Sequence, residues 1–190
     1  MNKTELKTVF KNYLVLLECH NEQKRHISDY FKSKGVRTLE YPFFTADYSF
    51  MIMPNQWTKN TEPLFYGEKF LIERKSGPEN RGGGFQELWN NLMAGHKQFK
   101  AEFQRMNSVP DVTLLIENTQ GYDCMKKVPR QKTPFAVFKK IYDGFIRNRN
   151  KERLALNMDD IKLKYCSIEE SGELVMKLIF EYLSNEFLKK

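Results

Sequence analysis

The alternation of apolar and polar positions divides the chain into strands and helices. Tyr13-Leu14-Val15-Leu16-Leu17 is an unbroken apolar run, the pattern of a central strand buried on both faces, and polarity returns at Glu18. A short helix is predicted before it, over 3–12, with Leu6, Val9 and Phe10 on one side. Residues 22–34 read as a second helix, with Ile27, Tyr30 and Phe31 inward and Gly35 as its stop. Two strands are predicted next: Val36 to Tyr41, which alternates in character, and Ala46 to Met53, ended by Pro54-Asn55. A long polar connection over 54–68 carries Trp57, which either stacks on an unpaired base or covers the sheet edge. Lys69 to Lys75 is apolar and aromatic at its centre, and Ser76-Gly77-Pro78 stops it.

Beyond a loop with three consecutive glycines, Gly82 to Gly84, the longest helical pattern runs over 85–106. Its stripe is Phe85, Leu88, Trp89, Leu92, His96, Phe99, Phe103 and Met106. Val112 to Glu117 reads as a buried strand, and 118–130 as a polar loop. A helix is predicted from Phe135 to about Asn148, a half-exposed strand over 161–165, and an amphipathic helix over 168–189. The order is strand, helix, three strands, long helix, strand, helix, strand, helix. That order predicts an α/β sandwich around one mixed sheet, formed by a single domain over 1–190.

Strand parity brings out the candidate chemistry. Residues two apart in a strand share a face, so Leu71, Glu73 and Lys75 point one way and Phe70, Ile72 and Arg74 the other. A carboxylate and an ammonium then stand side by side at the end of a buried strand. Glu73 can hold a hard cation through oxygen, and Lys75 can steady an anionic transition state or help deprotonate a water. Taken alone, Glu-x-Lys is also an ordinary ion pair. Asp47, at the start of the 46–53 strand, converges on Glu73 and Lys75 if the two strands pair as a hairpin.

Composition narrows the partner. Lys plus Arg number 31 against 24 acids, a net charge of +7 that fits a polyanion or an anionic membrane surface. No apolar run reaches the ~18–20 residues of a membrane span, and the N-terminal stretch lacks the apolar core of a signal peptide. A cytoplasmic or nucleoid-associated location with no membrane partner is therefore expected. Cys19, Cys124 and Cys166 are odd in number and far apart, which argues against a disulfide framework or a zinc ribbon.

Ala46-Asp47-Tyr48-Ser49-Phe50 and Ile72-Glu73-Arg74-Lys75-Ser76 resemble the Gly-Asp-Tyr-Ser and Glu-Arg-Lys-Ser segments of the XPF/MUS-type nuclease domain. That domain is a branch of the PD-(D/E)XK, restriction-endonuclease-like superfamily. The resemblance covers about 13–189 and leaves no length for a helix-hairpin-helix module. It implies a restriction-endonuclease-like α/β/α sandwich around one mixed β-sheet. It also implies a metal-dependent DNA endonuclease, structure-specific for branched, flap or junction DNA, of the kind used in DNA repair and recombination.

The implied site residues are Asp47, Glu73, Lys75 and Arg74, with Arg74 organising the site through an ion pair from the opposite strand face. The implied metal is Mg²⁺, with Mn²⁺ as a substitute, held by Asp47 and Glu73 with Glu18 as auxiliary ligand. The family's Asp-x-Arg-Glu-like cluster is replaced here by Glu18-Cys19-His20-Asn21-Glu22, so only Glu18 matches in type. Glu87, His96 and Glu102 fall near places where the family's long helix carries site residues. Basic residues for DNA contact are Arg81, Lys126, Lys127, Arg130, Arg147, Arg149 and Lys151. Partners expected are DNA and either a second copy or another protein. The alternative reading is an inactive nuclease-like module that binds nucleic acid or protein.

Overall fold

The structure is a computed structural model that describes residues 1–22, 24–43, 45–77, 83–84, 87–88, 91, 101–102, 104–106, 108–118 and 161–188. Asn2 opens the first helix, α1 (Lys3–Tyr13), with a capping box: its side chain accepts from Thr4 and Glu5, and Glu5 reaches back to the Asn2 N–H at 2.7 Å. At Leu14 the backbone turns extended and the apolar run becomes β1 (Leu14–Cys19), buried at every position, Glu18 included. Helix α2 (His26–Ser33) begins later than the periodicity suggests. The Cys19 carbonyl takes the Glu22 N–H in a turn first. Gly35 ends the segment in the left-handed region, φ +76, as a helix stop does.

The remaining strands are β2 (Arg37–Tyr41), β3 (Tyr48–Ile52), β4 (Leu64–Phe65), β5 (Phe70–Lys75), β6 (Asp111–Glu117) and β7 (Ile161–Cys166). Helix α3 (Ile168–Phe187) follows. Among the described residues the strands form one mixed sheet of seven, in the order β2-β1-β3-β5-β6-β7 with β4 on β3. The pairs β1–β2 and β6–β7 are parallel, and β3 is antiparallel to β1, β4 and β5. This is the α/β architecture around one mixed sheet that the element order predicts. The two-residue β4 is too short to show in a periodicity. The predicted helix over 135–148 lies outside the described residues.

Packing divides the chain into two compact units, 1–72 with 169–190, and 73–168. In the first, β1 is central: Val15 pairs with Arg37 of β2 on one side and Met51 of β3 on the other. That position between two strands accounts for its continuous apolar run. An aromatic cluster holds α3 to the sheet. Phe50 stacks on Tyr66 at 4.4 Å, and Tyr182 of α3 meets Phe50, Tyr66 and Phe70 edge-on at 6.0, 5.8 and 5.1 Å. Phe180 meets Phe10 of α1 at 5.4 Å. Trp57 packs edge-on against Tyr13, 5.7 Å away, at the junction of α1 and β1. In the second unit, β6 and β7 pair in register from Val112↔Ile161 to Glu117↔Cys166. No helix among the described residues is long and apolar enough to cross a membrane.

Close approach of α3 to α2 depends on Gly172. A Cβ there would lie 2.5 Å from Tyr30 Cβ and 2.6 Å from its Cγ, atoms tied to the backbone that cannot swing aside. Gly172→Ala gains about 1 kcal/mol of helix propensity but overpacks the helix contact, which costs typically 1–3 kcal/mol. The expected outcome is a net loss of stability, read as a lower urea midpoint at unchanged slope. A higher midpoint would show that the two helices separate freely.

Candidate functional site

Asp47 lies one residue before β3, in a bend, and its backbone extends the ladder on both sides. Its N–H donates to the Ile72 carbonyl at 3.1 Å, and its carbonyl accepts from the Cys19 N–H at 2.7 Å. Asp47 is therefore pinned between the end of β1 and the residue that precedes Glu73. Ser49, two positions on, donates its hydroxyl to the Phe70 carbonyl at 2.8 Å. Burial pushes the Cys19 thiol above its ordinary pKa, and the Asp47 carboxylate adds to that shift.

Glu18 has a different environment. Arg25 Nη1 donates to its Oε2 at 2.5 Å and Arg25 Nη2 pairs with Glu40 at 3.0 Å. Glu18 Oε1 is buried with no hydrogen-bond partner among the described residues. Glu18 pairs with Tyr48 across the strands, one row away from Asp47. Rows alternate between faces, so Glu18 and the Cys19–Asp47 row occupy opposite faces.

In the second unit three consecutive charged residues, Glu73, Arg74 and Lys75, are all buried. Parity separates their partners, as the sequence predicts. On one face Arg74 Nη1 donates to Glu117 Oε2 at 2.8 Å, with both side chains buried. On the other, Lys75 Nζ donates to Glu73 Oε1 at 2.5 Å and lies 3.4 Å from Glu87 Oε1. Glu87 also accepts the Ser76 N–H at 2.8 Å. Glu87 thus reaches the pair, and the Glu102 charge is felt at Glu73. His96 lies outside the described residues. Two glycines of the triple run bring the backbone close: a Cβ on Gly84 would collide with the Lys75 carbonyl, and one on Gly83 would lie 2.7 Å from the Glu117 carbonyl. Gly83 has φ +57, which independently favours glycine there.

Desolvation raises the Glu73 pKa. Lys75 pulls it back, and Glu102 and Glu87 push it up again. The carboxylate is therefore buried among like charges, an environment that a cation would relieve. Among the described residues no three His, Cys, Asp or Glu side chains form a group that could hold a metal ion. The basic residues Arg81, Lys126, Lys127, Arg130, Arg147, Arg149 and Lys151 all lie outside the described residues.

With its pKa raised, Glu73 keeps its proton in the folded state after the unfolded chain has released it. Its contribution thus favours folding below the usual value of about 4.3 and is lost as pH climbs through the raised value. In the metal-free protein the Glu73 carboxyl carbon, followed by NMR, should titrate above the usual range. Glu102→Gln removes a like charge and should move that midpoint down. An unmoved midpoint would mean that Glu102 does not act on Glu73.

No protein-family model and no curated protein sequence matches the chain. Among solved structures, XPF from Aeropyrum pernix superposes with a TM-score of 0.54 at 13% identity, covering 90% of this chain. This chain spans 61% of that neighbour's length. XPF from Aeropyrum pernix in complex with DNA superposes with a TM-score of 0.48 at 14% identity, covering 93% of this chain and 68% of the neighbour. At such identity the first likeness speaks to fold, and the fold of this chain is XPF-like.

Proposed function

We infer that the chain is a metal-dependent endonuclease that hydrolyses phosphodiester bonds in branched, flap or junction DNA. The observation that carries this reading is the buried Glu73–Lys75 pair at the end of β5, 2.5 Å apart and rimmed by Glu87. An ordinary surface ion pair is exposed and contributes little. A buried pair with a perturbed carboxylate is the kind of arrangement that active sites hold.

Asp47 and Glu73 are the residues assigned to hold Mg²⁺ or, in substitution, Mn²⁺. When bound, the ion lowers the pKa of a water and neutralises charge on the scissile phosphate. Lys75 orients that water through its ammonium protons and stabilises negative charge developing on the phosphate. Arg74 organises the strand end through its ion pair with Glu117. Glu18 is left out of the ligand set, because Arg25 engages it and its row faces away from that of Asp47. The net charge of +7 supplies non-specific attraction for DNA. The product is a nick with new phosphate and hydroxyl ends.

Cleavage of single-stranded, duplex, flap, fork and four-way-junction DNA with Mg²⁺ and with Mn²⁺, beside binding measured in Ca²⁺, tests the reading. Asp47→Asn should weaken Mg²⁺ binding and abolish cutting while DNA affinity holds or rises. Lys75→Ala keeps both carboxylates, so metal should still bind while cleavage falls by orders of magnitude, about 3–4 kcal/mol in the barrier. Wild type that binds but cuts nothing with either metal would replace this reading by the binding module. Lys75→Ala that cuts at the wild-type rate would refute the mechanism.

Salt dependence tests the DNA contacts separately. Neutralising Arg147, Arg149 and Lys151 together should flatten the slope of log K against log salt by up to about 2–3. An unchanged slope would place the DNA surface elsewhere on the chain.

A further inference from the structure

Three aromatic rings of the first unit gather beside the Asp47 row. Tyr41, the last residue of β2, lies 4.9 Å from Phe43 and 5.1 Å from Phe65 of β4. Their planes are tilted by 53° and 40°, so Tyr41 packs against both rings in tilted contact. Phe65 is 39% exposed, among the few large apolar side chains open to solvent, and Tyr41 and Phe43 are half-buried. The Phe65 ring lies over Gly67, where any Cβ would strike the ring. The cluster is thus a formed surface rather than one loose side chain.

Its position relative to Asp47 follows from the ladder. Tyr41 pairs with Cys19 across β2–β1, and the Cys19 N–H donates to the Asp47 carbonyl. Tyr41, Cys19 and Asp47 therefore form one row across the sheet on one face. Two strand spacings separate Tyr41 from Asp47, roughly 9–10 Å. The Cys19 thiol, 3.9 Å from the Phe43 carbonyl, fills the interval.

We propose that Tyr41, Phe43 and Phe65 form a stacking platform for an unpaired DNA base, one or two nucleotides from the phosphate presented to Asp47. This rests on the nuclease reading above and specifies its substrate as DNA with a single-stranded segment. Aromatic faces bind any base and ignore sequence. A base paired in a duplex has its faces covered by its neighbours, so the platform selects flaps, splayed forks and single strands. The excess of basic residues draws the strand in. A second copy of the chain is the poorer occupant: one exposed and two half-buried rings fall well short of the roughly 800 Å² per partner that a stable interface covers.

The test is done in EDTA, so that binding is read without cutting. A single-stranded oligonucleotide carrying one 2-aminopurine, and a blunt duplex of equal length, are titrated with the full chain. Wild type should quench the 2-aminopurine and prefer the single strand. Tyr41→Ala with Phe65→Ala should lose the quenching and weaken single-strand binding by about five- to a hundredfold, leaving duplex binding unchanged. Tyr41→Phe should retain both. Should the double variant fail to fold by circular dichroism, Phe65→Trp serves instead, and its emission should be quenched by the single strand.

Equal single-strand affinity in the double variant, or no quenching of Phe65→Trp, would overturn the platform. So would a wild-type dimer that Phe65→Ala dissociates in sedimentation, because the rings would then lie between copies. A protein that passes these tests but cuts no DNA with Mg²⁺ keeps the platform and loses the nuclease. One that cuts DNA with no regard to Tyr41 and Phe65 keeps the nuclease and loses the platform.

Discussion

Two backbone hydrogen bonds at Asp47 carry much of what the first unit offers. The Asp47 carbonyl accepts from Cys19 and its N–H donates to Ile72, so a residue outside any strand is held as firmly as a strand residue. Buried backbone groups of this kind must be paired, which makes the position costly to vacate. The ladder thereby holds the Asp47 backbone between Cys19 and Ile72.

The second unit solves a different problem, the burial of three adjacent charges. Removing Glu73, Arg74 and Lys75 from water is expensive unless each finds a partner of opposite sign. Strand alternation distributes the burden: Arg74 goes to Glu117 on one face, and Lys75 goes to Glu73 and Glu87 on the other. The two pairs are not equivalent. Arg74–Glu117 is one cation with one anion, both buried, and suits a structural role. The other face has Glu73 and Glu87 around the Lys75 ammonium, and desolvation raises the Glu73 pKa against the pull of Lys75. A pair that fixes the strand thus lies back to back with the Lys75 ammonium and its two carboxylates.

The glycines after β5 belong to the same arrangement. Gly83 and Gly84 bring the chain against the Lys75 and Glu117 carbonyls, closer than any side chain would permit. The triple glycine looks in sequence like a loose connector, yet two of its members are close-packed against strand ends. Trp57, which the sequence leaves between a base contact and cover for the sheet edge, packs its ring edge-on against Tyr13.

By itself the sequence determined the order of the described strands and helices, β4 apart, because burial on two faces, alternation and helix stops are local patterns. It determined the parity of Glu73, Arg74 and Lys75 for the same reason: neighbours in a strand must diverge. Tertiary structure decided which charges meet. Arg25 takes Glu18, Glu117 takes Arg74 from 43 positions away, and Glu87 closes over Lys75. It decided that Tyr41 and Phe65 stand together beside the Asp47 row, and that a two-residue strand lies within the 54–68 connection. Such meetings depend on strand register and on the path of the chain between elements. Neither is fixed by the residues within any one element, so no local pattern reveals them.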